Sequence, residues 1–174
     1  MIIGLIGKKQ SGKDTVFQIA EQLGPVHVAR MAFGDALKAE VARCLRVTVE
    51  EINTHKALYR PMLQWYGTEF RRRLDGEDYW INKLAPFQPG MLNIVTDVRF
   101  PNEAGHIRFH GGILVRVVRP DGPQDSHASE TLLEEITPDY TLHNNGRPED
   151  LRVRVSELLA TILKRFLADV EAAR

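Results

Sequence analysis

Short apolar runs recur along the chain and alternate with longer segments in which apolar residues return every three or four positions. The runs have the length and continuity of strands buried in a parallel sheet, so we interpret them as β-strands. They cover residues 1–6, 26–31, 91–96, 112–118 and 140–143. The pattern therefore predicts about five strands separated by segments of another kind.

The segments between the strands carry helical periodicity. One helix follows the first strand and ends at Gly24-Pro25, and others are predicted over 35–45, 61–74, 101–109 and from Pro148 onward. In the 61–74 helix one apolar face is predicted to be core, and it carries Leu63, Tyr66, Phe70 and Leu74. Strands that alternate with helices predict a three-layer α/β/α sandwich around a mainly parallel sheet. We expect a single domain over residues 1–174.

A glycine-bounded loop joins the first strand to the first helix and has GxxxxGK spacing. Successive N–H groups in such a loop point at phosphate oxygens, and the helix N-terminus adds partial positive charge. Lys13 would reach the outer phosphates as a point charge, which predicts a triphosphate site. The predicted binding residues are Gly7, Lys8, Gln10, Ser11, Gly12, Lys13, Asp14 and Thr15.

The loop departs from the usual pattern at one position. Asp14 stands where a phosphate loop ordinarily has a Ser or Thr ligand for Mg²⁺, and Thr15 follows it. Asp14 can bind Mg²⁺, or it can turn toward the helix N-terminus and leave Thr15 near the phosphates, or it can pair with a nearby lysine. We expect the metal role for Asp14, with Thr15 as the alternative ligand.

Five further segments extend the motif along the chain: LQWYGTE at 63–69 with Arg72, Tyr79-Trp80, DVRFPNE at 97–103, HASE at 127–130 and NNG at 144–146. Together with the loop GKKQSGKDT they resemble the deoxynucleoside monophosphate kinases encoded by many bacteriophages. The resemblance implies a P-loop kinase fold with an acceptor-binding helical region at about 33–84 and a lid at about 119–131.

The resemblance also implies an activity. It is Mg²⁺-dependent phosphoryl transfer from ATP to a deoxynucleoside monophosphate, which yields the diphosphate and ADP. Other readings stay open, because the loop also resembles phosphomevalonate kinases and the NNG segment resembles dephospho-coenzyme A kinases. A nucleotide-binding switch without an acceptor is a third reading. Resemblance to dephospho-coenzyme A kinases places Asn145 and Gly146 beside the adenine.

Two charged residues lie where the third strand ends. Asp97 follows the buried run NIVT and Arg99 comes two residues later, at the sheet edge where α/β proteins bind ligands. Asp97 would hold Mg²⁺ or orient the acceptor, and Arg99 would grip a phosphate. The alternative is that Asp97 caps the helix beginning at Pro101. We predict catalytic roles for Lys13, Asp97, Arg99 and Arg119, the last at the end of the fourth strand beside the lid.

The acceptor is predicted to contact two more segments. In the 61–74 helix, an amide, a hydroxyl and guanidinium groups suit a base and its monophosphate, although a solvated helix face is the rival reading. The region after the second strand borders the acceptor in nucleotide kinases, and Phe33 there would either stack on a base or pack in the core. The predicted substrate-binding residues are Phe33, Asp35, Lys38, Gln64, Trp65, Thr68, Arg71, Arg72 and Arg99.

Composition adds limits on the partners. Lys and Arg together number 23, as do Asp and Glu, so the net charge gives no indication of nucleic-acid or membrane binding. The single cysteine excludes an internal disulfide. The single cysteine fits a cytoplasmic location, whereas the resemblance implies small nucleotides as partners and, if the chain is phage-encoded, the host cytoplasm as the location. The sequence leaves open whether the chain forms a homodimer.

Overall fold

The computed structural model describes residues 1–24, 27–120 and 132–172. Its centre is a five-stranded sheet in which every neighbouring pair of strands is parallel and the order is β2-β3-β1-β4-β5. The strands are β1 (Ile2–Ile6), β2 (Val28–Met31), β3 (Leu92–Val98), β4 (Ile113–Val118) and β5 (Tyr140–His143). The predicted fold class, a parallel α/β sheet of about five strands, is confirmed.

Helices cover both faces of the sheet. On one face α1 (Lys13–Leu23) packs beside the long C-terminal helix. The opposite face carries α2 (Phe33–Leu45) and α6 (Pro101–Phe109). The remaining helices are α3 (Val49–Thr54), α4 (Lys56–Gln64), α5 (Arg73–Asp75) and α7 (Pro148–Ala172), with 3₁₀ turns at Ile81–Lys83 and Leu132–Glu135.

Side chains of β1 alternate between the two cores. Ile2 and Ile6 join the core under α2 and α6, whereas Ile3 and Leu5 join the core under α1 and α7. All five residues of this strand are buried, as expected for a central parallel strand covered on both faces. The loop after β1 therefore follows a central strand that is buried along its whole length.

The predicted helix over 61–74 is corrected in its start and in its periodicity. Helix α4 begins at Lys56 and passes into a π-helical segment, Trp65–Arg72. The i→i+5 hydrogen bonds of a π-helix bring residues five apart onto one face, so the buried face turns away from the α-helical stripe. Leu74, predicted to be core, is 67% exposed, and Arg72 takes the buried position at 3%.

Within the described ranges, no helix has the length and apolar character needed to span a bilayer.

Candidate active site

The loop after β1 has the geometry of a phosphate cradle. Gly12 has a φ of 103° and Gln10 a φ of 61°, both in the left-handed region. A β-carbon on Gly7 would lie 2.6 Å from the Val117 carbonyl oxygen, so the backbone there passes close to β4. The Lys13 ammonium folds back over the loop and donates to the carbonyls of Gly7 at 2.6 Å and Lys8 at 3.0 Å. The loop therefore encloses a space that is lined by its own backbone and by the Lys13 ammonium group.

Ser11 and Asn144 complete the cradle. The Ser11 side chain is 2% exposed, and its hydroxyl has no hydrogen-bond partner among the described residues. A buried hydroxyl without a partner is costly unless a ligand completes it, so this atom fits a phosphate oxygen. Asn144 donates to the Ser11 carbonyl at 2.9 Å, and its amide also leaves no room for a β-carbon on Gly12. Sequence reasoning missed Asn144, although it named the next two residues of the NNG segment.

Asp14 and Thr15 occupy the first turn of α1 and are both exposed. In the described part of the chain, no group of three or more His, Cys, Asp and Glu side chains is arranged to hold a metal ion. Mg²⁺ in phosphoryl-transfer sites needs only one or two protein oxygens together with substrate phosphates. Asp14 fits that need as an exposed carboxylate beside the cradle, and its metal role stays a prediction.

Asp97 joins β3 to the start of α2. Its two carboxylate oxygens accept the backbone N–H groups of Phe33 at 2.9 Å and Gly34 at 2.8 Å. The sequence alternative had Asp97 capping the Pro101 helix, whereas it caps α2 instead. Burial raises the pKa of Asp97, opposed by the Gly34 hydrogen bond and the nearby charge of Arg99. Arg99 thus lies close enough to Asp97 to influence it electrostatically.

A cluster of cations surrounds the same edge of the sheet. Arg30, at the end of β2, pairs with Asp35 at 2.7 Å, and Lys38 lies 4.0 Å from the same carboxylate. The hydrogen bond that Arg30 donates to Asp35 raises the pKa of Arg30, and the negative charges of Asp97 and Asp14 raise it further. Burial lowers the pKa of Lys38, and the positive charges of Lys56 and Arg30 lower it further. The charges of Asp35 and Asp97 oppose this lowering, so the two cations are already partly neutralised by neighbouring carboxylates.

Phe33 lies in the core, which is one of the two places that the sequence allowed. It is 4% exposed and packs in the core beneath α2. This burial does not support the predicted stacking of Phe33 on a base.

Arg72 lies inside the protein, in an ion pair with the buried Glu103 of α6. It also donates to the Glu77 carbonyl at 2.7 Å and to Asn102 Oδ1 at 3.3 Å, and its guanidinium covers the Phe100 ring at 3.8 Å. The N–H donors of Arg72 already have partners, and the residue is only 3% exposed. The structure therefore does not support the predicted contact between Arg72 and an acceptor phosphate. Glu103 was not singled out from the sequence as a site residue.

Arg71 belongs to another cluster, around Glu40 of α2. Glu40 is 5% exposed and accepts from Tyr66 at 3.1 Å, Tyr79 at 2.7 Å and Arg71 Nε at 3.0 Å. Burial alone would raise the pKa of Glu40, but the hydrogen bonds from Tyr79, Tyr66 and Lys83 and the charge of Arg71 together lower it. Tyr66 and Arg71 are five residues apart, so the π-helix aligns both on one carboxylate. This placement assigns Arg71 to helix packing and does not support a phosphate contact.

The other predicted residues of the π-helical region keep partial access to solvent. Gln64 and Thr68 are half-buried, and Trp65 is 50% exposed. Between them, Gly67 packs against the Leu37 side chain of α2, and its carbonyl accepts a hydrogen bond from the buried Trp80 indole at 2.9 Å. The region is thus held against α2, the helix that also carries Lys38.

The remaining predicted site residues lie at the ends of β4 and β5. Arg119 is exposed directly after β4, and the predicted lid lies outside the described residues from position 121 to 131. The Asn145 side chain accepts from Arg154 of α7 at 2.5 Å, and Gly146 lies beside Asp150. The structure therefore joins this segment to the cradle through Asn144, one residue earlier than predicted.

One edge of the sheet collects most of the predicted site. The end of β3 and the start of α2 meet there through Asp97 and Gly34, and the carboxylates of Asp35, Asp97 and Asp14 all raise the pKa of Arg30. Arg30 and Lys56 were missed from the sequence. The signal for Arg30 was available, because it is a charged residue at the carboxyl end of a predicted strand, where parallel sheets bind ligands.

Known proteins were compared with the chain in three ways. No family model matches it. A curated protein of Acanthamoeba polyphaga mimivirus, named "Putative deoxynucleotide monophosphate kinase", is 29% identical over 179 aligned positions, covering 86% of this chain and 91% of the relative.

Solved structures with a similar course of the chain include two small kinases. A shikimate kinase from Acinetobacter baumannii is 16% identical, with coverage of 94% of this chain and 93% of the other and a TM-score of 0.49. An APS kinase from Mycobacterium tuberculosis is 15% identical, with coverage of 92% and 96% and a TM-score of 0.46. The fold assignment rests on the strand order and the loop. The resemblance to deoxynucleoside monophosphate kinases is confirmed by the mimivirus relative, to which this chain is similar over most of its length.

Proposed function

We propose that the chain transfers the γ-phosphoryl group of ATP to a deoxynucleoside monophosphate, with Mg²⁺ as cofactor. The observation that carries this proposal is the presence of two sets of basic groups, each suited to an anion, at one sheet edge. One is the cradle of Gly12 and Lys13, and the other is the cation cluster of Arg30 and Lys38 beside Asp97. A nucleotide-binding switch needs only the first feature, whereas a kinase with a phosphorylated acceptor needs both.

The donor side is assigned to the cradle. Backbone N–H groups of the loop and the Ser11 hydroxyl would bind the ATP phosphates. Lys13 would leave the carbonyls of Gly7 and Lys8 to reach the outer phosphates. When bound, Mg²⁺ offsets the phosphate charge, and Asp14 or Thr15 would hold it. Asn144 supports the cradle from behind.

The acceptor side is assigned to the charged cluster at the ends of β2 and β3. A monophosphate oxygen is already an anionic nucleophile, so the site needs positioning and charge more than a general base. Arg30, Lys38 and Arg99 would hold that monophosphate in line with the donor. Asp97 would keep the start of α2, and with it Lys38, in place.

The base of the acceptor is assigned to the half-exposed side chains of the π-helical region. Gln64 and Thr68 offer hydrogen-bonding groups, and Trp65 offers an exposed ring. An amide beside an aromatic surface suits a flat base better than an aliphatic phosphate. The name of the mimivirus relative supports the same class of acceptor.

The reaction is tested by following ADP formation from ATP and Mg²⁺ with a panel of acceptors. The panel contains the four common deoxynucleoside monophosphates, their ribose counterparts, phosphomevalonate and dephospho-coenzyme A. We expect ADP release that depends on at least one deoxynucleoside monophosphate. Release with phosphomevalonate or dephospho-coenzyme A alone would move the chain to that class, and the absence of acceptor-dependent release would favour a switch.

The assignment of the acceptor side is tested by single substitutions. Arg30→Ala, Lys38→Ala and Arg99→Ala should each raise the acceptor KM or lower kcat, by about 2–4 kcal/mol of transition-state binding where a phosphate contact is lost. The KM for ATP should change little. Arg43→Ala is the matched control, because Arg43 is an exposed cation in the last turn of α2, the helix that carries Lys38. Equal losses in all four variants would contradict the assignment.

A further inference from the structure

The turn between β3 and α6 is held from within by one carboxylate. Glu103, in the first turn of α6, accepts the backbone N–H of Arg99 at 2.8 Å and that of Phe100 at 3.2 Å through Oε2. Both bonds converge on the residues that connect Asp97 to the helix. The orientation of Arg99 therefore depends on where the Glu103 carboxylate lies.

The other oxygen of that carboxylate is held by the π-helical segment. Glu103 Oε1 accepts from Arg72, and both side chains are nearly completely buried, at 3% exposure each. Arg72 also reaches the Glu77 carbonyl, which in turn accepts from Asn102 at 2.8 Å. One buried network thus ties the end of the π-helix, the loop after it and the turn at Arg99.

The Arg72–Glu103 pair joins two elements through buried charges. Burying two charges is costly, and apolar side chains of similar volume often stabilise a fold as well or better. A pair that gains little stability can still be useful if it fixes the geometry of a neighbouring functional group. Arg99, which lies near enough to Asp97 to alter its pKa, is the functional group next to this pair.

We propose that Glu103, braced by Arg72, is a positioning residue that fixes the Arg99 turn and thereby places the Arg99 guanidinium for the acceptor phosphate. This rests on the proposed function for the acceptor, but the link from Arg72 through Glu103 to the Arg99 amide is a property of the fold. The proposal also gives the buried Arg72 a role other than direct phosphate binding.

A double-mutant cycle between Glu103 and Arg99, measured by turnover, tests whether Glu103 acts through Arg99. At about pH 8.5, above the pKa of Glu103, Glu103→Gln should lower acceptor kcat/KM by about 10-fold or more, since small displacements of positioning groups are costly. The ATP KM should stay within about twofold. In an Arg99→Ala background the same substitution should have little further effect, because the residue it positions is gone. Additive losses would overturn the proposal, as would equal losses for ATP and acceptor.

A second measurement does not depend on the substrate. Hydrogen exchange at the Arg99 and Phe100 amides should accelerate in Glu103→Gln and also in Arg72→Gln, although Arg72 does not bond to either amide. Glu77→Gln is the matched control, because its carboxylate also pairs with Arg72, at 3.5 Å, but is 77% exposed. Unchanged exchange in Arg72→Gln would overturn the proposal. If the amides respond but no deoxynucleoside monophosphate is phosphorylated, the proposed function fails and the link stands.

Discussion

The carboxylate of Asp97 and the backbone of Gly34 approach so closely that no side chain fits between them. The Gly34 N–H donates to Asp97 Oδ2 at 2.8 Å, and a β-carbon on Gly34 would lie 2.9 Å from the same oxygen. The glycine is therefore needed for its lack of a side chain, because its φ is not in the left-handed region. Through this contact β3 fixes the start of α2 and, with it, the position of Lys38 on the same helix.

Gly34→Ala tests the contact. The added methyl group should push the Asp97 carboxylate away from the α2 N-terminus and cost about 1–3 kcal/mol of unfolding free energy. Acceptor kcat/KM should fall more than ATP KM changes, since α2 carries Lys38. Gly105→Ala is the control, because a β-carbon there meets nothing within 4 Å. Thermal unfolding and steady-state kinetics measure both effects, and equal behaviour of the two variants would contradict the role of Asp97.

Lys13→Ala should remove most of the activity without unfolding the protein. The ammonium group is the cation of the cradle, and loss of one preorganised charge at a transferring phosphoryl group costs about 100-fold or more in kcat. Its hydrogen bonds to two loop carbonyls are worth only about 1–2 kcal/mol of stability. Lys164→Ala, an exposed lysine of α7, is the control. Activity within about twofold of wild type would remove Lys13 from the mechanism.

The sheet was predictable from sequence because its signals are local. Continuous apolar runs mark buried parallel strands, and β5 agrees with its predicted bounds at both ends. The glycines of the loop likewise mark a phosphate cradle through spacing alone. These features depend on a few neighbouring residues, so the chain itself contains the information.

Partners across long sequence separations were not predictable. Arg72 was assigned to a phosphate, but it pairs with Glu103, 31 residues later. The π-helix changes which side chains share a face, and helical periodicity of 3.6 residues cannot show that change. The partner of Arg71 was equally hidden, since Glu40 lies in another helix. Where a side chain has two chemically reasonable partners, tertiary packing decides which of them it contacts.

Stability should depend on pH through Glu103. Burial raises the pKa of this carboxyl from 4.5 to about 7 in the folded protein, although Arg72 opposes the rise. The folded state therefore binds the proton more tightly than the unfolded state does. The resulting stabilisation is complete below about pH 4.5 and is lost as the pH rises through 7.

Glu103→Gln removes this titration. The unfolding free energy of wild type minus that of the variant should fall by roughly 3 kcal/mol between pH 4.5 and 8. Denaturant titrations of both proteins at several pH values measure the difference. A difference that stays constant across the range would contradict the raised pKa.

The metal ligand beside the cradle is tested by separating Asp14 from Thr15. Both are exposed in the first turn of α1, and Asp14 occupies the position at which ordinary phosphate loops bind Mg²⁺. A carboxylate beside a triphosphate is repelled unless a cation lies between them. Asp14→Asn should therefore raise the Mg²⁺ concentration needed for half-maximal turnover more than it changes ATP affinity measured without metal. Asp14→Ser should recover much of the activity, because a hydroxyl is the usual ligand. If Asp14→Asn leaves the Mg²⁺ titration unchanged while Thr15→Val abolishes turnover, the metal is bound by Thr15.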